Sequence, residues 1–329
     1  MIDTNPVVAT TIGDPCGIGP EVVIKALIDG TIPGKSLLIG NAQVVRQAIA
    51  QTGAALSLRS IESIEQAQFK TGCIDVLDDG VLKPAEVTPG RVSVACGRAT
   101  LRWWETATRL ANANQVAAIV KGPINSEAQR LAELQNQGEG KQVVATPPGK
   151  THLFLITGPL RVVHLTDHVT LREMLEQVKM QNVLDLIRLT HTSLKRWGIA
   201  SPRIGVAGLN PHCYGPEDEH EIKPAVAHAT VEGIRAIGPV APDTVFRQCL
   251  EGQFDCVLAH YHDQGHIPVK TWQFSGNCAL VLGLPYIYAS VAHGTAFDIA
   301  GKGIADHLAM VSAMKTVAML ADGKGFPAH

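Results

Sequence analysis

Three histidines carry the clearest chemical signal in this chain. His168, His212 and His262 each fall just past the end of an apolar, β-prone run: Arg161–Leu165, Ile204–Ala207 and Cys256–Ala259. In an open α/β sheet, ligand chemistry gathers at the carboxyl ends of strands, where a rigid scaffold holds the loops. Three neutral imidazoles converging there would make a divalent-metal site with positions left open for substrate. Taken singly, such histidines are commonly ordinary loop or core residues, since imidazole is intermediate in burial. Their settings argue for the site: Thr166-Asp167-His168, Asn210-Pro211-His212 and Tyr261-His262-Asp263-Gln264-Gly265 are polar or turn-forming. His266, four residues beyond His262, could reach the site but reads first as a solvent-facing loop histidine, and His152, His164 and His260 read as structural.

The elements that must position these residues alternate between strand-like and helix-like patterns almost throughout, which predicts an α/β fold with a largely parallel sheet. Expected strands include Val7–Thr11, Leu37–Ile39, Cys73–Leu77, Val116–Val120 and Leu153–Ile156. Expected helices are Gly19–Asp29, Ser93–Asn112 with Ser93 as N-cap, Leu171–Trp197, Ile222–Ile237 and Ala305–Leu320. The stretch Leu134–Lys150, rich in Gln, Gly and Pro, reads as a loop or hinge. At 329 residues the chain exceeds the size of one ordinary core, so two lobes are expected: 1–135 with 290–329, and 136–289. With 46% hydrophobic and 18% charged residues, disorder is excluded. A net charge of −2 gives no reason to expect nucleic acid or a membrane surface as partner. Seven scattered cysteines, odd in number and without a CxxC pair, suit a reducing, cytoplasmic setting and argue against a thiolate zinc site.

Two glycine-bearing segments bear on cofactors. Gly13-Asp14-Pro15-Cys16-Gly17-Ile18-Gly19-Pro20-Glu21 joins the first strand to the first helix, where close backbone approach and a helix N-terminus can hold an anion. Its spacing is neither a Rossmann nor a Walker pattern, and a tight turn that binds nothing is the competing reading. The segment His293–Asp306 resembles the cofactor-adenosine loop of the metal-dependent, β-decarboxylating isocitrate and isopropylmalate dehydrogenases. That resemblance makes His293, Gly294, Thr295, Ala296 and Asp298 the candidate cofactor residues, with amides near Gly294 for pyrophosphate and Asp298 for an adenosine or ribose group.

With KGPIN at 121–125, GLNPH at 208–212, PDT at 242–244, YHDQGHIPVK at 261–270 and LGLP at 282–285, the chain resembles the 4-hydroxythreonine-4-phosphate dehydrogenase family over essentially its whole length. The resemblance implies a two-lobed α/β/α subunit with mainly parallel sheets and a homodimer with the site near its interface. It also implies NAD or NADP, one divalent ion (zinc, magnesium, cobalt or manganese) and a small-molecule substrate. It matches His168, His212 and His262 to the metal ligands and Lys270 to a substrate-binding lysine; Lys270 and Asp243 are the catalytic candidates.

The departures bear on substrate. A Gly-His-Thr-Glu segment of the biosynthetic members is replaced here by Gln137–Lys141, where Lys141 is the candidate substitute. The family's substrate asparagine falls on Ala279 and its phosphate-binding arginine on Tyr288, making both candidate substrate-binding positions. Losing those groups costs anion binding about 1.5–3 kcal/mol per charge-assisted bond. An alanine at the asparagine position and a non-arginine at the arginine position also occur in the related terephthalate cis-dihydrodiol dehydrogenases. The sequence therefore predicts an NAD(P)- and metal-dependent dehydrogenase oxidising a non-phosphorylated hydroxy acid or cis-diol carboxylate, with decarboxylation. The alternative is 4-phosphohydroxy-L-threonine dehydrogenase of vitamin B6 biosynthesis. A metal-dependent hydrolase is the alternative from another class, but it leaves the 293–303 loop without a reason.

Overall fold

Short β-branched runs alternate with amphipathic helices along the computed structural model, which describes residues 6–136 and 151–327. The chain divides into unit 1, Met1–Pro148 with Pro285–Asp322, and unit 2, Gly149–Leu284 with Gly323–His329. Unit 1 begins with β1 (Val7–Thr11), α1 (Gly19–Ile28), β2 (Lys35–Ile39), α2 (Ala42–Thr52), β3 (Ser57–Ile61) and β4 (Cys73–Leu77). It continues with α3 (Val94–Asn112), β5 (Ala118–Lys121) and α4 (Ser126–Asn136). Helix ends follow their capping chemistry. The Asn41 side chain accepts from the amides of Gln43 and Val44 at 3.0 and 3.1 Å, and α2 closes on left-handed Gly53. Ser93 Oγ accepts from the Cys96 amide at 3.3 Å and so opens α3.

Unit 2 contains β6 (His152–Thr157), β7 (Leu160–His164), α5 (Leu171–Gln177), α6 (Met180–Arg196), β8 (Arg203–Ala207) and α7 (Lys223–Val231). β9 (Arg235–Val240), α8 (Val245–Leu250), β10 (Cys256–Ala259), α9 (His262–Trp272) and β11 (Cys278–Leu282) follow. The chain then returns to unit 1 with β12 (Ile287–Val291) and α10 (Leu308–Ala321). The strands of unit 1 lie in the order β3-β4-β2-β1-β5-β12, all parallel. Those of unit 2 lie in the order β11-β6-β7-β10-β8-β9, where β6 runs against both β7 and β11 and the rest are parallel. The fold is therefore α/β with mainly parallel pairing.

Two expected helices differ. The 171–197 segment is broken at Val178-Lys179 into α5 and α6, because Val178 leaves helical geometry. The 222–237 segment stays helical only to Val231; left-handed Gly233 turns the chain, and Arg235–Val240 joins β8 as a parallel strand. The tail beyond Gly323, grouped from sequence with the first lobe, lies in unit 2, where the Phe326 ring packs 5.9 Å from Trp197 and 6.4 Å from Phe154.

Helices α3 and α4 cross at Gly97, where an added Cβ would lie 2.2 Å from the Ala128 carbonyl oxygen. A hydrogen bond from Gln129 Nε2 to Thr100 Oγ1 at 3.1 Å fixes the same crossing. Because backbone, not a flexible side chain, blocks that space, Gly97→Ala is expected to cost about 1–3 kcal/mol by overpacking. A urea midpoint equal to that of the parent protein would contradict this reading of the crossing.

Candidate functional site

Parallel pairing carries β7 and β10 to a common end. Beyond the paired residues Ala259 and His164, the Leu165 amide donates to the Ala259 carbonyl at 2.8 Å. The Thr166 amide and hydroxyl both donate to the His260 carbonyl, at 3.1 and 2.8 Å. This clasp sets Asp167-His168 beside His262, with the two imidazole centroids 5.4 Å apart. Donor atoms of Asp167, His168 and His262 lie within 4.8 Å of one another. Asp167 also approaches His168 Nδ1 at 3.2 Å, while its Oδ1 is buried without a hydrogen-bond partner among the described residues. His262 Nδ1 lies 2.7 Å from the Asp263 carboxylate, an arrangement that fixes the ring and leaves Nε2 to face a cation. Two imidazoles and a carboxylate with an unused oxygen fit a divalent ion.

The row of imidazoles runs inward. His262 stacks on His266 at 3.6 Å between centroids, and His266 lies 4.9 Å from His164. His266 is therefore not a solvent-facing loop residue. It sits one helical turn after His262 on α9, 8% exposed, and its Nδ1 lies 2.9 Å from the His262 carbonyl. Burial, reinforced by nearby imidazoles, pushes His164 down to about 3 and His266 to about 4. Fully buried His260 is likewise pushed down to about 4 by burial, with its Nε2 2.7 Å from the Ala207 carbonyl. These rings stay neutral at physiological pH.

His212 stands outside the Asp167-His168-His262 group. Its loop at the end of β8 is shaped by buried Asp218, which accepts from the Leu209 and Asn210 amides and from Asn210 Nδ2 at 2.7, 3.1 and 2.8 Å. That shape gives His212 a left-handed backbone, φ 57°, and an exposed ring 6.4 Å from Tyr214. The expected three-histidine set thus gathers two of its members, with Asp167 as third donor. Asp243 is exposed on the turn before α8, near enough to Cys213 to help burial and Asp218 raise that thiol. Lys270 is exposed in the last turn of α9, and its charge contributes to the lowered basicity of His266.

Three expected substrate positions have other outcomes. Ala279 is 5% exposed and belongs to an apolar cluster with Leu155, Val245 and Val269. Tyr288 is 5% exposed, with its ring 4.7 Å from that of Trp104. Strand alternation turns both side chains into packed interior, which counting residues from a motif cannot reveal. Lys141 lies outside the described residues. A cation missed in the sequence is Lys121, at the carboxyl end of β5. Its Nζ lies 5.3 Å from the Trp104 ring and 5.6 Å from the Tyr288 ring, and no carboxylate pairs with it among the described residues.

Within unit 1 the 293–303 loop is held at two points. The Ile18 amide donates to the Thr295 carbonyl at 3.0 Å, and Thr295 fills the space a Cβ on Gly17 would need, 2.7 Å away. Farther on, Lys25 Nζ donates to the carbonyls of Gly303 and Ala305 at 3.0 and 2.9 Å, and the Ala305 amide donates to Glu21 at 2.8 Å. His293 and Gly294, just before the first anchor, and Asp298, between the two, are exposed. Space around Gly294 is open, Ala296 is left-handed at φ 41°, and no described residue donates to the Asp298 carboxylate. A fixed loop with exposed amides and a free carboxylate fits a nucleotide.

Comparison with known proteins is consistent along the chain. Residues 34–317 match the family described as pyridoxal phosphate biosynthetic protein PdxA. A protein of Novosphingobium aromaticivorans, provisionally named 4-hydroxythreonine-4-phosphate dehydrogenase, is 46% identical over 324 residues, covering 98% of this chain and 97% of its own. The D-threonate 4-phosphate dehydrogenase of Salmonella typhimurium is 37% identical over 322 residues, covering 95% and 98%. The crystal structure of 4-hydroxythreonine-4-phosphate dehydrogenase from Klebsiella pneumoniae superposes with a TM-score of 0.84 at 36% identity, covering 98% and 100%. That of a terephthalate 1,2-cis-dihydrodiol dehydrogenase from Burkholderia xenovorans gives 0.66 at 31%, covering 98% and 99%. Fold and relatives together define an oxidoreductase acting on CH–OH groups. The chain belongs to the PdxA family, and the hydrolase alternative falls. Among the described residues no helix is long and apolar enough to cross a membrane.

The buried imidazoles make stability depend on pH in a defined direction. His164, His260 and His266 have folded values near 3–4, below the ordinary 6.5, so the unfolded chain binds more protons between those limits. Their stabilisation is full above about pH 6.5 and is lost as pH falls towards 4, at up to about 1.4 kcal/mol per pH unit for each ring. Asp14, pushed up to about 6 by burial, works in the opposite sense: its contribution is full below about 3.8 and is lost as pH rises through 6. Three groups outweigh one. Urea unfolding with chelator present should therefore show a midpoint that falls from pH 6.5 to 4.5, and a flat profile would contradict it.

Proposed function

We propose that this enzyme oxidises the hydroxyl of a phosphorylated hydroxy acid, of the 4-phosphohydroxythreonine or D-threonate 4-phosphate kind, using NAD(P) and one divalent ion. The observation that carries the metal-dependent reading is the Asp167-His168-His262 group with its unpartnered carboxylate oxygen. The names of relatives 35–46% identical along nearly the whole chain support a phosphorylated substrate. The expectation of a non-phosphorylated one drew on Gln137–Lys141, which lies outside the described residues, and on Ala279 and Tyr288, both buried in protein packing. Their identity therefore says little about a phosphate pocket.

A divalent ion supplies Lewis-acid polarisation of the reacting hydroxyl, and NAD(P) supplies the hydride acceptor. The chain's own residues have separable tasks in this proposal. Asp263 fixes the His262 ring, and His266 covers its inner face with an imidazole too poorly basic to compete as a cation. His212 is retained as a further ligand candidate, reached by movement of its loop. Lys270 is proposed to hold the substrate carboxylate or pass a proton, and Asp243 to assist. His293, Gly294, Thr295, Ala296 and Asp298 would bind the dinucleotide. Loss of CO2 from a β-keto acid product and a homodimeric state belong to the same proposal.

Initial rates should rank 4-phosphohydroxy-L-threonine or D-threonate 4-phosphate above their unphosphorylated forms and above a cyclohexadiene cis-diol carboxylate. Faster turnover of the diol carboxylate would return the reading to the non-phosphorylated class.

A further inference from the structure

A second cluster of metal-binding groups lies apart from the histidines, within unit 1. Asp14, Cys16 and Cys96 offer donor atoms within 4.8 Å of one another, and all three residues have zero or near-zero exposure. Cys16 and Asp14 come from the turn between β1 and α1; Cys96 comes from the first turn of α3. The two Sγ atoms are 3.4 Å apart. Two thiolates on one tetrahedral zinc-like ion sit about 3.7 Å apart, given zinc–sulfur bonds of about 2.3 Å. Asp14 Oδ1 accepts from the Cys16 amide at 2.8 Å, but its Oδ2 is buried with no hydrogen-bond partner among the described residues. No cationic side chain pairs with Asp14 among the described residues.

Three buried acids in contact cannot all ionise without a compensating charge. A cation resolves the conflict: it releases the protons to solvent, uses the orphan oxygen and neutralises the thiolates. The N-terminal turn of α3 also favours thiolate at Cys96. The Glu86 carbonyl, 3.9 Å from Cys96 Sγ, offers a further oxygen near the same sulfur.

We propose that Asp14, Cys16 and Cys96 form a site for a thiophilic divalent ion of the zinc type, bracing the turn after β1 against the start of α3. The brace reaches the cofactor loop through this turn, since Gly17 packs on Thr295 and the Cys16 carbonyl accepts from the Gly90 amide at 2.7 Å. The site stands independently of the substrate reading.

The test is titration of chelator-treated full-length protein with cobalt(II) alone, read by absorbance, followed by displacement with zinc. A thiolate-to-cobalt charge-transfer band saturating at about one ion per chain is expected, persisting in a His168→Ala/His262→Ala variant and disappearing in Cys16→Ser and in Cys96→Ser. Zinc should also slow the reaction of two of the seven cysteines with a thiol reagent. Because the parent protein decides the outcome, misfolding of a cysteine variant leaves the test intact. Absence of the band in the parent protein, with zinc giving no thiol protection, would overturn the proposal.

Discussion

The register of β7 against β10 is the constraint on which the candidate site depends. Val163 faces Leu258 and His164 faces Ala259 in that pairing, and the ladder runs on through Leu165 and Thr166 into the loops. A slip of one residue would turn every side chain of the strand to the other face. It would separate Asp167-His168 from His262 and bury polar groups against the sheet. The apolar runs that look like ordinary strand sequence are thus what place the chemistry, and the Thr166–His260 clasp extends that precision beyond the last paired strand residue.

Behind the exposed donors, the interior is arranged to stay uncharged. His266, His164 and His260 are buried imidazoles with strongly lowered basicity, and each lies close to a backbone carbonyl through one ring nitrogen. A cationic ring among them would repel a divalent ion; a neutral one gives a firm backing to His262. The carboxylates lie on the outer side, Asp167 beside His168 and Asp263 beside His262. The arrangement therefore grades from neutral interior to anionic rim, as a site for a cation requires.

Much of this was legible in the sequence because strands announce themselves by composition and their ends by polar turns. Cys256–Ala259 and Cys73–Leu77 were expected at their observed bounds. What was not legible depended on direction and contact. His266 follows His262 at helical spacing, a signal for stacking that was available once α9 was taken to begin at His262. Asp167 adjoins His168 in sequence, but a carboxylate in a polar turn has no local mark of a ligand until the strand ends bring it beside His262. Lys121 meets Trp104 and Tyr288 only through tertiary packing, so no local pattern marks it. Ala279 and Tyr288 show the opposite fault: alignment to a motif fixed their positions in the chain but not the faces of their strands. The helix expected through Ile237 failed because its apolar spacing suits either element, and Gly233 decided between them.

The central claim is that Asp167, His168 and His262 together hold a divalent ion. Manganese(II) tests it most directly, being a hard ion with little affinity for buried thiols. Titration of chelator-treated protein, followed by the electron paramagnetic resonance signal of free manganese, should give one site per chain with imidazole nitrogen coupling. Asp167→Asn should weaken it and His168→Ala/His262→Ala should abolish it, while His293→Ala should leave it intact. Manganese bound with undiminished affinity in the double histidine variant would contradict the account.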